Sequence, residues 1–109
     1  MSMSGKLAEI TKDNFESMKS QNARMVVDCW ANWCGPCRAL APMFERLADR
    51  YQGKVAFVKM DCDKNADLVM QLQIMAIPTI LFFKDGELKD TVVGLLDEPE
   101  LEDRVKKLL

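Results

Sequence analysis

Apolar positions along the chain change their period several times, and each change marks an element. Met25 to Trp30 is an apolar run with two valines, interrupted only by Asp28, and predicts a strand buried on both faces. Leu40, Met43, Phe44, Leu47, Ala48 and Tyr51 recur at steps of three and four. That spacing predicts one long amphipathic helix, with Gly53 where a terminator belongs. Pro42 lies inside it and has no N–H for the carbonyl of Arg38, so a kink is expected there. Val55 to Asp61 predicts a further strand and Ala66 to Leu72 a short helix. Thr79 to Lys84 and Leu88 to Val93 flank Asp85-Gly86, a hairpin signal. Pro99 suits the first turn of a last helix over Glu98 to Leu109, with Leu101, Val105 and Leu108 as its apolar stripe. At the other end, Leu7 to Ile10 reads as a short strand. Thr11 is placed to cap a helix over residues 12–21 with Phe15 and Met18 on one face. The order βαβαβαββα predicts an α/β fold: a mixed sheet with helices on both faces.

Composition narrows the function classes. At 109 residues the chain is expected to be one domain (1–109), with residues 1–5 a short polar extension. Its net charge of −2 offers no basic footprint for nucleic acid or an anionic membrane. The first twenty-four residues mix charges with few apolar runs, which does not fit a signal peptide, and no stretch is apolar enough to span a bilayer. A cytoplasmic, reducing location is therefore expected. Four cysteines in such a compartment point to redox or metal chemistry rather than structural disulfides. Histidine is absent, which excludes Ser–His and Cys–His nucleophiles and His-ligated metals.

The candidate chemistry is Trp33-Cys34-Gly35-Pro36-Cys37, at the junction of a predicted strand and the long helix. Residues i and i+3 at a helix start lie one turn apart on one side, so the two sulfurs can close a small ring. Free N–H groups and the positive dipole end favour a thiolate at Cys34, which would be the attacking nucleophile. Cys37, one turn inside, should be the more shielded resolving thiol. Gly35 permits close approach of a partner's backbone, and Pro36 stiffens the loop. Half a zinc site is the alternative reading. It would need two more ligands, and only Cys29 and Cys62 remain, both in or beside apolar strands, so no metal is expected. Those two thiols read as small buried hydrophobes.

The stretch WANWCGPCRALAP (residues 30–42) resembles the active-site motif of the thioredoxin family. Asp28 in VVDCW, the segment Ile77-Pro78-Thr79, FFKDGE and Gly94 follow the family pattern in order and spacing, over about residues 7–109. The resemblance implies a thioredoxin fold, a central five-stranded mixed sheet flanked by four helices. It implies a thiol–disulfide oxidoreductase that reduces disulfide-containing protein substrates, with no bound cofactor beyond a Cys34–Cys37 disulfide. It implies recycling by a thioredoxin reductase, with NADPH or ferredoxin as ultimate donor, in a protein expected to be monomeric. Gly-Pro between the cysteines resembles a reducing thioredoxin. Isomerases and oxidases of this fold usually carry a His there.

The same resemblance assigns supporting roles. Asp28 would be the acid–base group for Cys37, and burial among Val26, Val27, Cys29 and Trp30 should raise its pKa. Lys59 matches the lysine beside that aspartate, although an ordinary snorkelling lysine fits as well. Pro78 would be cis, leaving the backbone of Ala76 and Ile77 free to pair with an extended substrate strand. Ala76 departs from the family's usual glycine, which would narrow the approach. Trp33, Gly35, Pro36, Ile77, Pro78, Val93 and Gly94 would form an apolar rim around Cys34. Val93 fits core packing equally well, and Trp30 fits packing under the loop. Met75, just before Ala76, is a further candidate substrate contact. A scaffold that uses the fold without the chemistry needs neither cysteine nor Asp28.

Overall fold

The computed structural model describes residues 7–109, so the polar extension expected at residues 1–5 lies outside the described residues. Its elements are β1 (Ala8–Glu9), α1 (Phe15–Gln21), β2 (Arg24–Trp30), α2 (Gly35–Arg50), β3 (Ala56–Asp61), α3 (Ala66–Gln71), β4 (Thr79–Lys84), β5 (Glu87–Val93) and α4 (Glu98–Lys106). The predicted order holds throughout, and α2 continues through Pro42.

β2, β3 and α3 differ from expectation by one residue at one end, starting at Arg24, starting at Ala56 and ending at Gln71, and four other elements differ as follows. β1 is two residues long, pairing only Ala8 with Val58 and Glu9 with Lys59. The first helix starts at Phe15 rather than at residue 12. Thr11 does not cap it through its hydroxyl. Its backbone N–H donates to Asn14 Oδ1 at 2.8 Å, and its carbonyl accepts from the N–H groups of Asn14 and Phe15, so residues 11–14 form a tight turn. β5 begins at Glu87, directly after the Asp85-Gly86 turn, where both residues have positive φ (53° and 82°) as a hairpin with right-handed strand twist requires. α4 closes at Lys106, short of Leu109.

The strands form one five-stranded mixed sheet in the order β1-β3-β2-β4-β5. β1, β3 and β2 run parallel, and β4 and β5 are antiparallel to their neighbours. Side chains alternate across the central strand β2. Val26 points into a core with Leu40, Phe44 and Leu47 of α2, Ile80 and Phe82 of β4, and Leu101 and Val105 of α4. Met25, Val27 and Cys29 point the other way, into a core with Phe15 of α1, Leu68 of α3, Val58, Met60 and Leu81. Helices thus cover both faces, and β2, central to the sheet, is sealed on both sides. Asp28 shares the parity of Val26, which turns it toward α2.

The topology gathers one end of the sheet. The C-terminal ends of β2 and β3, the start of β4 and the end of β5 lie together, because Cys29 pairs with Thr79, Thr79 with Val93, and Trp30 with Asp61. Every residue expected in the active site leaves the sheet at this end or stands beneath it.

Candidate active site

β2 ends at Trp30, and the chain turns through Ala31, Asn32 and Trp33 before α2 begins. The Cys34 N–H donates to the carbonyl of Ala31 at 3.2 Å, closing that turn. Cys34 is the N-cap of α2, with extended backbone (φ −92°, ψ 109°), and its Sγ accepts from the Cys37 N–H at 3.2 Å. Pro36 occupies the first turn, where its missing N–H costs nothing. No acidic side chain stands in that turn to neutralise the positive helix end.

Cys34 and Cys37 form a disulfide, with Cα atoms 5.2 Å apart. In this oxidised state Cys34 is 4% exposed and Cys37 3%. The expected contrast between an open first cysteine and a shielded second is therefore not seen: the bond ties both sulfurs beneath the same turn. Cys37 continues the buried stripe Leu40, Phe44 and Leu47, so the face of α2 that grips the sheet also carries the second sulfur.

Beneath that face is Asp28, fully buried. A cavity of about 170 Å³ is lined by Asp28, Cys37, Ala41, Arg38 and Lys59 among others. That is room for several waters. The Oδ1 atom of Asp28 has no protein hydrogen-bond partner among the described residues. Burial pushes the Asp28 carboxyl up to about 7, and the Lys59 ammonium pulls against that rise. Lys59 is the register partner of Asp28 on β3, and its Nζ lies 4.8 Å from the centre of the Trp30 ring. The same ammonium thus meets the face of Trp30 and acts electrostatically on Asp28.

The other sulfurs stand apart. Cys29 is buried in the opposite core and Cys62 is half-buried, both unpaired. Burial, reinforced by neighbouring negative charge, pushes the Cys29 thiol well up and the Cys62 thiol to about 11. Among the described residues no cluster of three or more metal-ligating side chains occurs, and no helix is long and apolar enough to cross a membrane.

Around the disulfide the surface is apolar. Trp33 is 69% exposed and Val93 65%, which decides Val93 against core packing. Gly35, Pro36 and Ala76 are exposed, Ile77 and Gly94 half-buried and Pro78 buried. The Ile77–Pro78 bond is cis. The Thr79 hydroxyl donates to the carbonyl of Ala76, and the Gly94 N–H to that of Pro78 at 2.8 Å, which fixes this loop against the end of β5.

Three neighbours were not singled out from sequence. Trp33 Nε1 donates to Asp63 at 3.0 Å. The Arg38 guanidinium donates to the Asn32 carbonyl at 2.8 Å, folding back across the turn that holds Cys34. Asp63 is thirty positions from Trp33, and nothing local marks it. Arg38 follows directly on Cys37, and a cation beside the motif was the available signal.

The family model for thioredoxin matches residues 6–107. The chain belongs to the thioredoxin family. It is 40% identical to the thioredoxin of Staphylococcus saprophyticus over 103 residues, 94% of this chain and 98% of that one. It is 42% identical to the chloroplastic M-type thioredoxin of Spinacia oleracea over 85 residues, 78% of this chain and 47% of that one. Among solved structures it resembles Plasmodium falciparum thioredoxin, with a TM-score of 0.87 and 32% identity over 94% of this chain and all of that one. The oxidised mitochondrial thioredoxin 3 of Saccharomyces cerevisiae matches with a TM-score of 0.89 and 32% identity, over 98% of this chain and all of that one. The Cys34–Cys37 pair stands at the family's active-site position, and this thioredoxin is a thiol–disulfide oxidoreductase whose redox group is the protein's own disulfide.

Proposed function

We propose that this thioredoxin reduces protein disulfides by a dithiol–disulfide cycle in which Cys34 attacks and Cys37 resolves. The observation that carries the assignment is the placement of Cys34 as the N-cap of α2, its sulfur accepting the Cys37 N–H. In the reduced protein that N–H and the helix dipole would stabilise a Cys34 thiolate. The thiolate attacks one sulfur of a substrate disulfide, and the other leaves as a thiolate and takes a proton. The Cys37 thiol then loses its proton, attacks Cys34 Sγ, and expels the second substrate thiolate. Two electrons pass to the substrate, and the Cys34–Cys37 disulfide remains.

Asp28 is the proton acceptor for Cys37 in this reading. It shares the cavity with Cys37, and a carboxyl near 7 exchanges protons readily at neutral pH. Lys59 is a positioning residue that keeps the carboxyl from rising further. Trp33, Ala76, Ile77, Pro78, Val93 and Gly94 receive the substrate, whose extended segment pairs with the backbone of Ala76 and Ile77. A thioredoxin reductase would return the disulfide to the dithiol. The chain is read as a single domain, acting as a monomer in the cytoplasm, with no nucleic-acid or membrane role.

Dithiothreitol-driven reduction of insulin tests the cycle. The wild type should accelerate it, Cys34→Ser should not, and Cys37→Ser should accumulate a mixed disulfide through Cys34. Turnover by Cys37→Ser at the wild-type rate would remove the resolving role. No catalysis by folded wild type would leave a scaffold or a narrowly specific carrier.

A further inference from the structure

Met75 is the most exposed large apolar side chain among the described residues, at 93%, followed by Met70 at 78%. The other described methionines are protected: Met25 and Met60 are sealed in the core, and Met18 and Met43 pack against it. Met75 precedes Ala76-Ile77-Pro78 directly, in the loop pinned at the disulfide end of the sheet. Like Trp33 and Val93 it is an exposed apolar side chain, and its place one residue before Ala76 puts it on the loop that leads into the cis Ile77–Pro78 bond. Met70, at the end of α3, is a second exposed thioether and lies outside that loop.

We propose that Met75 is an oxidation site for peroxides, and that its sulfoxide weakens docking of disulfide-bearing protein segments. The consequence for docking rests on the reading that substrates lie along Ala76 and Ile77. In the step itself the thioether sulfur attacks one peroxide oxygen and the O–O bond breaks. The sulfur keeps one oxygen and loses two electrons, while the other oxygen leaves as water after taking up the proton. The product replaces a soft apolar tip by a polar sulfinyl group. A substrate segment laid over Met75 would then have to bury that group without a partner, which opposes binding. The same oxidation at Met70 leaves the docking loop unchanged. Starting from the disulfide form keeps Cys34 and Cys37 out of peroxide's reach, and a Cys62 thiol held near 11 offers little thiolate to compete.

The test treats oxidised wild type, Met75→Leu and Met70→Leu with hydrogen peroxide, removes the peroxide, and maps added oxygen by peptide mass. Insulin reduction driven by dithiothreitol is then compared with each untreated protein. Wild type should gain oxygen at both Met70 and Met75 and slow by roughly three- to tenfold, the scale of losing one good interface contact. Met70→Leu should slow equally, and Met75→Leu should keep its own untreated rate. An unmodified Met75 beside an oxidised Met70, an oxidised Met75 with no loss of rate, or equal loss in Met75→Leu would each overturn the proposal alone. Failure of untreated wild type to reduce insulin would overturn the docking reading and the proposal with it.

Discussion

The buried carboxyl of Asp28 is the costliest single group at the site. Its pKa in the folded chain is raised from 3.8 to about 7, chiefly by loss of hydration. Below 3.8 the folded and unfolded chains both hold the proton. As pH rises through the window between 3.8 and about 7, the unfolded chain releases it first, so the native state binds more protons and stability falls. Above the window the loss is complete, on the order of 4 kcal/mol. Asp28→Asn removes the titration and keeps the shape. Relative to wild type, the variant should therefore gain stability on going from pH 4 to pH 8 in urea denaturation, while its disulfide exchange slows for want of the proton acceptor. A pH-independent difference between the two proteins would show that Asp28 is hydrated in the native state. The burial that raised this pKa was legible in the sequence, because an aspartate inside a valine-rich strand has no solvated side to turn to.

At the scale of elements, the two capped long helices use their N-termini in opposite ways. α4 carries Asp97 as N-cap, donated to by the Glu100 N–H at 3.0 Å, with Glu98 and Glu100 in its first turn. Its positive end is fully answered. The first turn of α2 holds no acid, and its cap is a sulfur, so the positive end is left for the thiolate. Asp97→Ala should cost about 1 kcal/mol, seen as a lower urea midpoint, and leave insulin reduction intact. Sequence patterning located both helices, because their apolar stripes run over several turns. It misplaced the start of α1, where Thr11, Asp13 and Asn14 all suit a cap and only the hydrogen bond from Thr11 to Asn14 chooses among them.

At the scale of the whole molecule, α2 and α4 share one core above the sheet, and the redox pair rides on the helix that this core holds down. Phe44 meets Phe57 edge-on with centroids 5.0 Å apart, and Leu101 of α4 is fully buried in the same cluster. Outside it, Arg46 and Arg50 of α2 pair with Glu98 and Glu102 of α4, contacts too exposed to add much. Leu101→Ala should cost about 2–5 kcal/mol, read as a lower thermal midpoint, because the cavity cannot collapse between two helices fixed on one sheet. The molecules that remain folded should still reduce insulin.

Sequence alone determined the element order, the dithiol at a helix start, the absence of histidine chemistry and the burial of Asp28. Each follows from local spacing or from which residue types a segment can hide from water. Tertiary structure decided the rest. Parallel register places Lys59 beside Asp28, and antiparallel register places Pro78 and Val93 at the disulfide end, arrangements that the family resemblance implied and that local spacing alone does not give. The parallel crossover from β2 through α2 to β3, which sets Trp30 opposite Asp61, brought Asp63 to Trp33 across thirty positions. In the disulfide form the two cysteines are equally buried, where one helical turn alone predicts a difference. These are relations between segments remote in sequence, set by how the strands order themselves in the sheet, and no local pattern encodes that order.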